Sequence, residues 1–185
     1  ASFANLPLGT YLITVRDTHH CTASVTVEIT QPEPIDFTLT KTNALCFGQA
    51  TGQVEVTATG GTDPLRYSIN GGAYQSAPVF AGLAAGTYTV EVTDANFCLS
   101  VQKTIVVEQP LPLELVTKKT NITCPGFKNG TIGVGAKGGT APYVYTVNGA
   151  VVSADSGAKN LNVGSYNVLV TDANGCTANA LVQIV

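Results

Sequence analysis

Cys46 and Cys124 stand 78 residues apart, and the same offset carries Gly60-Gly61-Thr62 onto Gly138-Gly139-Thr140 and Asn70-Gly71 onto Asn148-Gly149. It also carries Thr93-Asp94-Ala95-Asn96 onto Thr171-Asp172-Ala173-Asn174, without a gap. A fixed period of this length means that each residue is read first as part of a repeating unit. The opening residues answer to the back half of that unit: Gly9-Thr10-Tyr11 matches Gly86-Thr87-Tyr88, Cys21 matches Cys98, and Gln31-Pro32 matches Gln109-Pro110. The chain therefore divides into the C-terminal part of a truncated repeat (1–34), a full repeat (35–111) and a second full repeat (112–185). Both joints, Gln31-Pro32-Glu33-Pro34 and Gln109-Pro110-Leu111-Pro112, are rich in proline. Such linkers are extended and semi-rigid, so consecutive repeats are expected to line up as a rod.

Inside each repeat, apolar and polar residues alternate. Tyr88, Val90 and Val92 point one way while Thr87, Thr89, Glu91 and Thr93 point the other. The same period marks Val54, Val56 and Ala58, and Leu65, Tyr67 and Ile69, together with their counterparts in the second copy. That is the signature of strands with one face on a core. Asn-Gly at 70 and 148 suits a two-residue hairpin, because both residues tolerate positive φ. Six or seven short strands per repeat predict an all-β fold of tandem immunoglobulin-like antiparallel sandwiches. Gly86-Thr87-Tyr88 resembles a tyrosine corner, although the chain has no Trp for an immunoglobulin Cys-Trp-Cys core. Charged residues make up only 11%, net charge is -3 and the pI is about 5.2, which leaves no basic footprint for nucleic acid. No apolar run approaches the roughly 20 residues of a membrane span.

Five cysteines are an odd number. Cys46 and Cys98 are 52 apart, as are Cys124 and Cys176, and closing such a loop is worth about 4 kcal/mol in the chain-entropy treatment. The leading expectation is thus two intra-repeat disulfides, with Cys21 unpaired by truncation. One objection is topological: the corner after the first strand and the turn before the last lie at opposite ends of a simple sandwich. The alternative joins the first Cys of one repeat to the second Cys of the next, as Cys46 to Cys176, and staples the joint. Reduced thiols are the third possibility.

A search for chemistry finds little that recurs. Neither full repeat contains a His; His19 and His20 occupy a hairpin turn with no Cys or carboxylate cluster to complete a metal site. No acid pair recurs, because Glu55 becomes Gly133, Asp63 becomes Ala141 and Glu91 becomes Leu169. The recurrent Asp94/Asn96 and Asp172/Asn174 admit two readings, a partial Ca²⁺ site or a tight turn capped by side-chain hydrogen bonds. One carboxylate per loop favours the turn, and no cofactor is expected. Repeat 35–111 carries three basic and six acidic residues, whereas 112–185 carries five basic and three acidic. Turns and core match while the surface drifts, as in a module selected for its fold.

The ordered series Thr-Asn-x-x-Cys-x-Gly, Gly-Gly-Thr-x-Pro-x-x-Tyr, Asn-Gly, Leu-x-x-Gly-[Thr/Ser]-Tyr-x-Val-x-Val-Thr-Asp-Ala-Asn-x-Cys and Gln-Pro resembles the SprB repeat of giant cell-surface adhesins in gliding bacteria. It departs at His19-His20 and at Phe97, where the usual Asn-Gly turn is altered. The resemblance implies an extracellular, cell-surface filament, propelled by the cell-surface motility machinery while it grips the substratum or a surface polysaccharide. On that basis the chain is expected to be a non-enzymatic structural or adhesive module, without nucleic-acid partners or membrane insertion. The alternative is a glycan-binding module of a secreted protein. Tyr74, against Val152, and Phe80, against Ala158, are the candidate contacts, since the second copy does without an aromatic at either position; packing against a partner strand or the core is the leading reading for both.

Overall fold

The computed structural model describes residues 2–185, and among them every regular element is a strand. In the first segment, β1 (Gly9–Arg16) and β2 (Thr22–Ile29) form a two-stranded hairpin. Leu12, Val15 and Val25 lie exposed on it, because no second sheet covers them.

Residues 35–111 supply β3 (Asp36–Thr42), β4 (Gly52–Thr59), β5 (Arg66–Ile69), β6 (Val79–Leu83), β7 (Gly86–Thr93) and β8 (Lys103–Val107). They form two three-stranded sheets, β3-β4-β6 and β5-β7-β8, antiparallel throughout. Phe37, Val54, Val56 and Phe80 of the first sheet pack on Val90, Val92 and Val107 of the second. This is the alternation read from sequence: every second residue of β4 and β7 enters one core, as a half-buried strand requires.

Residues 112–185 repeat the plan with β9 (Glu114–Thr120), β10 (Gly130–Lys137), β11 (Val144–Val147), β12 (Ala150–Val152), β13 (Ala158–Leu161), β14 (Gly164–Thr171) and β15 (Thr177–Ile184). The sheets are β9-β10-β13 and β12-β11-β14-β15, closing over Ile132, Val134, Tyr145, Val147, Val168, Val170, Val182 and Ile184. Asn148 (φ 47°) and Gly149 (φ 82°) join β11 to β12 as the expected two-residue hairpin. The counterpart of β12 is missing from the earlier repeat, where Asn70-Gly71 turns into a single bridge between Tyr67 and Gln75.

The tyrosine corner is present three times. Tyr11, Tyr88 and Tyr166 donate through their hydroxyls to the carbonyls of Pro7 (2.7 Å), Ala84 (2.8 Å) and Asn162 (3.0 Å), each four residues upstream.

Phe80 is a correction to the sequence reading. It is 8% exposed and part of the core, so it is not a surface aromatic available to a glycan. The reason lies in its partner: Val54 pairs with Phe80 and Ile132 with Ala158 at equivalent positions. A large-to-small exchange on one strand is met in part by a small-to-large exchange on its neighbour.

Candidate functional site

The chemistry that the chain places most deliberately is its sulfur. Cys46 follows β3, and the loop that carries it is built by a latch to the end of β8. Ala44 N–H donates to the Glu108 carbonyl (2.9 Å), Glu108 N–H to Asn43 Oδ1 (3.0 Å), and Gly48 N–H to Gln109 Oε1 (2.7 Å). Lys41 and Asn43 both reach Glu108 Oε2, at 2.9 Å each. The Lys41 ammonium, through its hydrogen bond first, holds the Glu108 carboxyl below its ordinary range. With its backbone fixed in this way, Cys46 is buried at the C-terminal end of its repeat.

Cys176 sits in the β14–β15 turn at the N-terminal end of the next repeat. There Asp172, itself buried, accepts the N–H groups of Asn174 and Cys176 on Oδ1 and of Thr140 on Oδ2, at 2.9 Å each. Asn174 Nδ2 donates across the joint to the Leu45 carbonyl (2.9 Å) and also to Thr140 Oγ1 (3.1 Å). Cys46 and Cys176 form a disulfide, with a Cα–Cα distance of 5.7 Å and a sequence separation of 130.

This corrects the intra-repeat expectation: Cys46–Cys98 and Cys124–Cys176 are not bonded, and Cys21, Cys98 and Cys124 are free and exposed. The physical reason is the one anticipated as an objection. Cys98 lies beyond β7, at the end of the sandwich where β3 begins and Lys103 pairs with Asp36 (2.7 Å). Cys46 lies where β3 finishes. Seven residues of strand, roughly 23 Å, separate the two ends, far beyond disulfide reach.

In both Asp-Ala-Asn loops the carboxylate caps a tight turn. Asp94 accepts from Asn96 N–H (2.9 Å) and Cys98 N–H (2.8 Å) on Oδ1 and from Thr62 N–H (3.1 Å) on Oδ2; Asn96 Nδ2 donates to Thr62 Oγ1 (3.2 Å). A cation would have to take the carboxylate away from three backbone donors that have no other acceptor. Burial by itself raises the Asp94 carboxyl, but the donations from Cys98, Thr62 and Asn96 together outweigh it and hold the group below its usual value. A depressed folded-state pKa means that this contribution to stability is complete above about pH 4 and is lost as pH falls further. Thermal melts are expected to show repeat 35–111 weakening below about pH 4, with a shallower acid slope in Asp94→Asn. An unchanged slope in that variant would remove the assignment. For Asp172, whose three donors would be left unpaired, Asp172→Ala is expected to cost about 3 kcal/mol or more, measured by urea unfolding.

Tyr74 is partly exposed on the wall of a 610 Å³ cavity that Arg66, Thr93, Phe97 and Leu99 also line. Its hydroxyl donates to Glu91 Oε2 (2.6 Å), and that hydrogen bond, ahead of burial, pushes its pKa up to about 12. His19 and His20 lie exposed in the β1–β2 turn, where Arg16 reaches the His20 ring. Among the described residues no group of three or more His, Cys, Asp or Glu side chains is arranged to hold a metal ion.

Sequence reasoning missed the latch that aims Cys46, built by Asn43, Glu108 and Gln109. Its trace was available in the recurring Thr-Asn before each first Cys and in the recurring Gln-Pro joint.

The SprB repeat family model matches residues 38–74 and 116–152. Among solved structures, the chain is similar to the Drosophila OTK extracellular domains 3–5, at 15% identity over 96% of this chain and 70% of that one, with a TM-score of 0.34. No curated protein matches it.

Proposed function

With two SprB repeats in the chain as the premise, we propose that it is a non-enzymatic, load-bearing segment of a large cell-surface filament adhesin serving gliding motility and surface attachment. The SprB repeat is a module of adhesin-type cell-surface proteins and not a known enzyme family. The observation that carries the reading is the covalent joint. Cys46 of one repeat reaches Cys176 of the next, so two sandwiches are tied end to end across a Pro-rich linker. A disulfide suits an oxidising setting outside the cell, and a cross-link between domains serves tension better than it serves catalysis. The expected partners are the substratum or a surface polysaccharide at the gripping end and the motility machinery at the cell. An antibody against residues 35–185 is expected to label unpermeabilised cells of the source bacterium in patches that travel along the cell. Label that appears only after permeabilisation would rule the reading out.

A second reading, glycan binding, is favoured by the 610 Å³ cavity, whose rim combines the aromatic faces of Tyr74 and Phe97 with Arg66. A glycan array on this chain separates the two. Specific binding that Tyr74→Ala abolishes would make the module adhesive in itself; a blank array leaves the filament role.

A further inference from the structure

The 610 Å³ cavity is lined by residues of repeat 35–111 alone, and the 78-residue period supplies a copy to compare it with. Pro64, Thr93, Asp94 and Ala95, which belong to the turn and strand frame, return as Pro142, Thr171, Asp172 and Ala173. The rest of the wall does not return. Arg66, Tyr74, Phe97 and Leu99 answer to Val144, Val152, Gly175 and Thr177, so every difference makes the wall larger or charged in the first full repeat. Drift alone gives no reason for each enlargement to fall around one cavity.

Two further differences hold the wall in place. Tyr67 bridges Gln75 and Ser68 pairs with Glu91, so Tyr74 stands across the buried Ser68 from Glu91 and spans it. Its hydroxyl donates to Glu91 Oε2 (2.6 Å), and Gln102 Nε2 donates to Oε1 (3.3 Å). In the second repeat Glu91 and Gln102 are Leu169 and Ala180, which can form no such tether. A ring fixed before contact loses little rotamer freedom on binding. Phe97 is held at φ 64°, a left-handed backbone that costs a bulky side chain, where the second repeat has Gly175 at φ 81°. At the Cys46–Cys176 joint, the cleft beside Cys46 and Phe47 takes in only Gly175 and Thr177 of the equivalent positions. The wall of Arg66 and Tyr74 therefore lies outside the area that a neighbouring repeat covers.

Charge selects the ligand. Among the described residues the ion pairs are Lys41–Glu108 and Lys103–Asp36, and Arg66 joins neither. The carboxylates of this face are already engaged, Glu91 by Tyr74 and Gln102 and Asp94 by three backbone N–H groups. Arg66 keeps its donors for a ligand, while two carboxylates beside one guanidinium repel an anionic chain. Given the glycan-binding reading of this cavity, on which the assignment rests, we propose that it is a site for an uncharged hexopyranose chain, present in repeat 35–111 and absent from 112–185. The C–H face of a pyranose stacks on Tyr74 and Phe97, and the Arg66 guanidinium donates to sugar hydroxyls. The array is then not uniform: one repeat grips and the next spaces.

The test titrates the whole ¹⁵N-labelled chain with cellohexaose, laminarihexaose and mannohexaose, and with hexagalacturonate as the acidic counterpart, following backbone amides by NMR. At least one uncharged hexaose is expected to shift the amides of Arg66, Thr93, Asp94 and Ala95 and to leave Thr171, Asp172 and Ala173 unmoved. Tyr74→Val and Arg66→Val install the side chains with which the second repeat folds, and each is expected to weaken binding about tenfold. Tyr74→Phe keeps the ring and drops only its tether, for a loss of about threefold. Tighter binding of hexagalacturonate, equal shifts in both repeats, or full affinity in either Val variant would overturn the proposal and leave a glycan-binding module standing. Silence toward all of these sugars would remove the glycan-binding reading and this site with it.

Discussion

Pulled from its two ends under oxidising conditions, the chain is expected to stop lengthening at about 200 Å, whereas the reduced chain reaches about 670 Å at roughly 3.6 Å per residue. The disulfide imposes the difference. Tension entering at the N-terminus runs to Cys46, crosses to Cys176 and leaves through the last residues, so the 130-residue span between them is off the load path. Force strips β1, β2, β3 and β15, which lie on that path, and can go no further. Cys46→Ser and Cys176→Ser are each expected to restore the full extension of about 670 Å, while Cys98→Ser changes nothing. Optical-tweezer records read this directly as a missing contour length of about 470 Å. Intra-repeat bridges of 52 residues would instead hide two loops and remove about 370 Å, so the measurement distinguishes the two connectivities by length alone. The same bond constrains the unfolded chain, worth about 5 kcal/mol in the chain-entropy treatment for a loop this long. Reduction is therefore also expected to lower the melting temperature.

The connectivity shows how far this sequence could be read. Repeat, strands, hairpins and the three tyrosine corners follow from period and alternation, which are local properties: Tyr88 finds Ala84 four residues away, and Val90 finds its face by counting in twos. The disulfide depends on which end of a sandwich each loop occupies and on how two sandwiches meet. Both facts belong to the assembled domains, and cysteine spacings of 52 and 130 are equally consistent with a period of 78. Phe80 misled for a related reason. Comparing it only with Ala158 made the aromatic look optional, while the compensating pair, Val54 against Ile132, sits on a different strand. Asp94 and Asp172 stood out correctly as the recurring carboxylates. Their three backbone donors, however, come partly from Thr62 and Thr140, 32 residues away, where no sequence motif could place them.

Gly138→Ala is expected to be among the most damaging single substitutions in the chain, at more than about 4 kcal/mol, and Gly149→Ala is its control. Both glycines have positive φ, +66° and +82°, so both alanines incur the left-handed backbone penalty, about 1 to 3 kcal/mol. They differ in what the new methyl meets. At Gly149 nothing lies within 4 Å, whereas at Gly138 a Cβ would stand 1.8 Å from the Pro112 carbonyl oxygen and 3.2 Å from that of Leu111. Backbone cannot yield as a side-chain tip can, so the linker has to leave. Its departure breaks the hydrogen bond from Gly139 N–H to the Leu111 carbonyl (2.9 Å) and withdraws Leu113 from the core edge. Gly60 repeats the arrangement against Pro34 at 2.1 Å, which marks the contact as a property of the joint. For a domain of this size each kcal/mol moves the melting temperature by about 4 to 8 °C, so the two variants are readily told apart in thermal melts. Hydrogen exchange should show protection lost across 112–185 and kept across 35–111 for Gly138→Ala. Equal losses for the two alanines would mean that dihedral strain accounts for both, and that the Gly-Gly turn does not clamp the linker. If the clamp is real, it orients the second sandwich so that Cys176 faces Cys46 before any bond forms, and the disulfide locks a geometry that the glycines have already set.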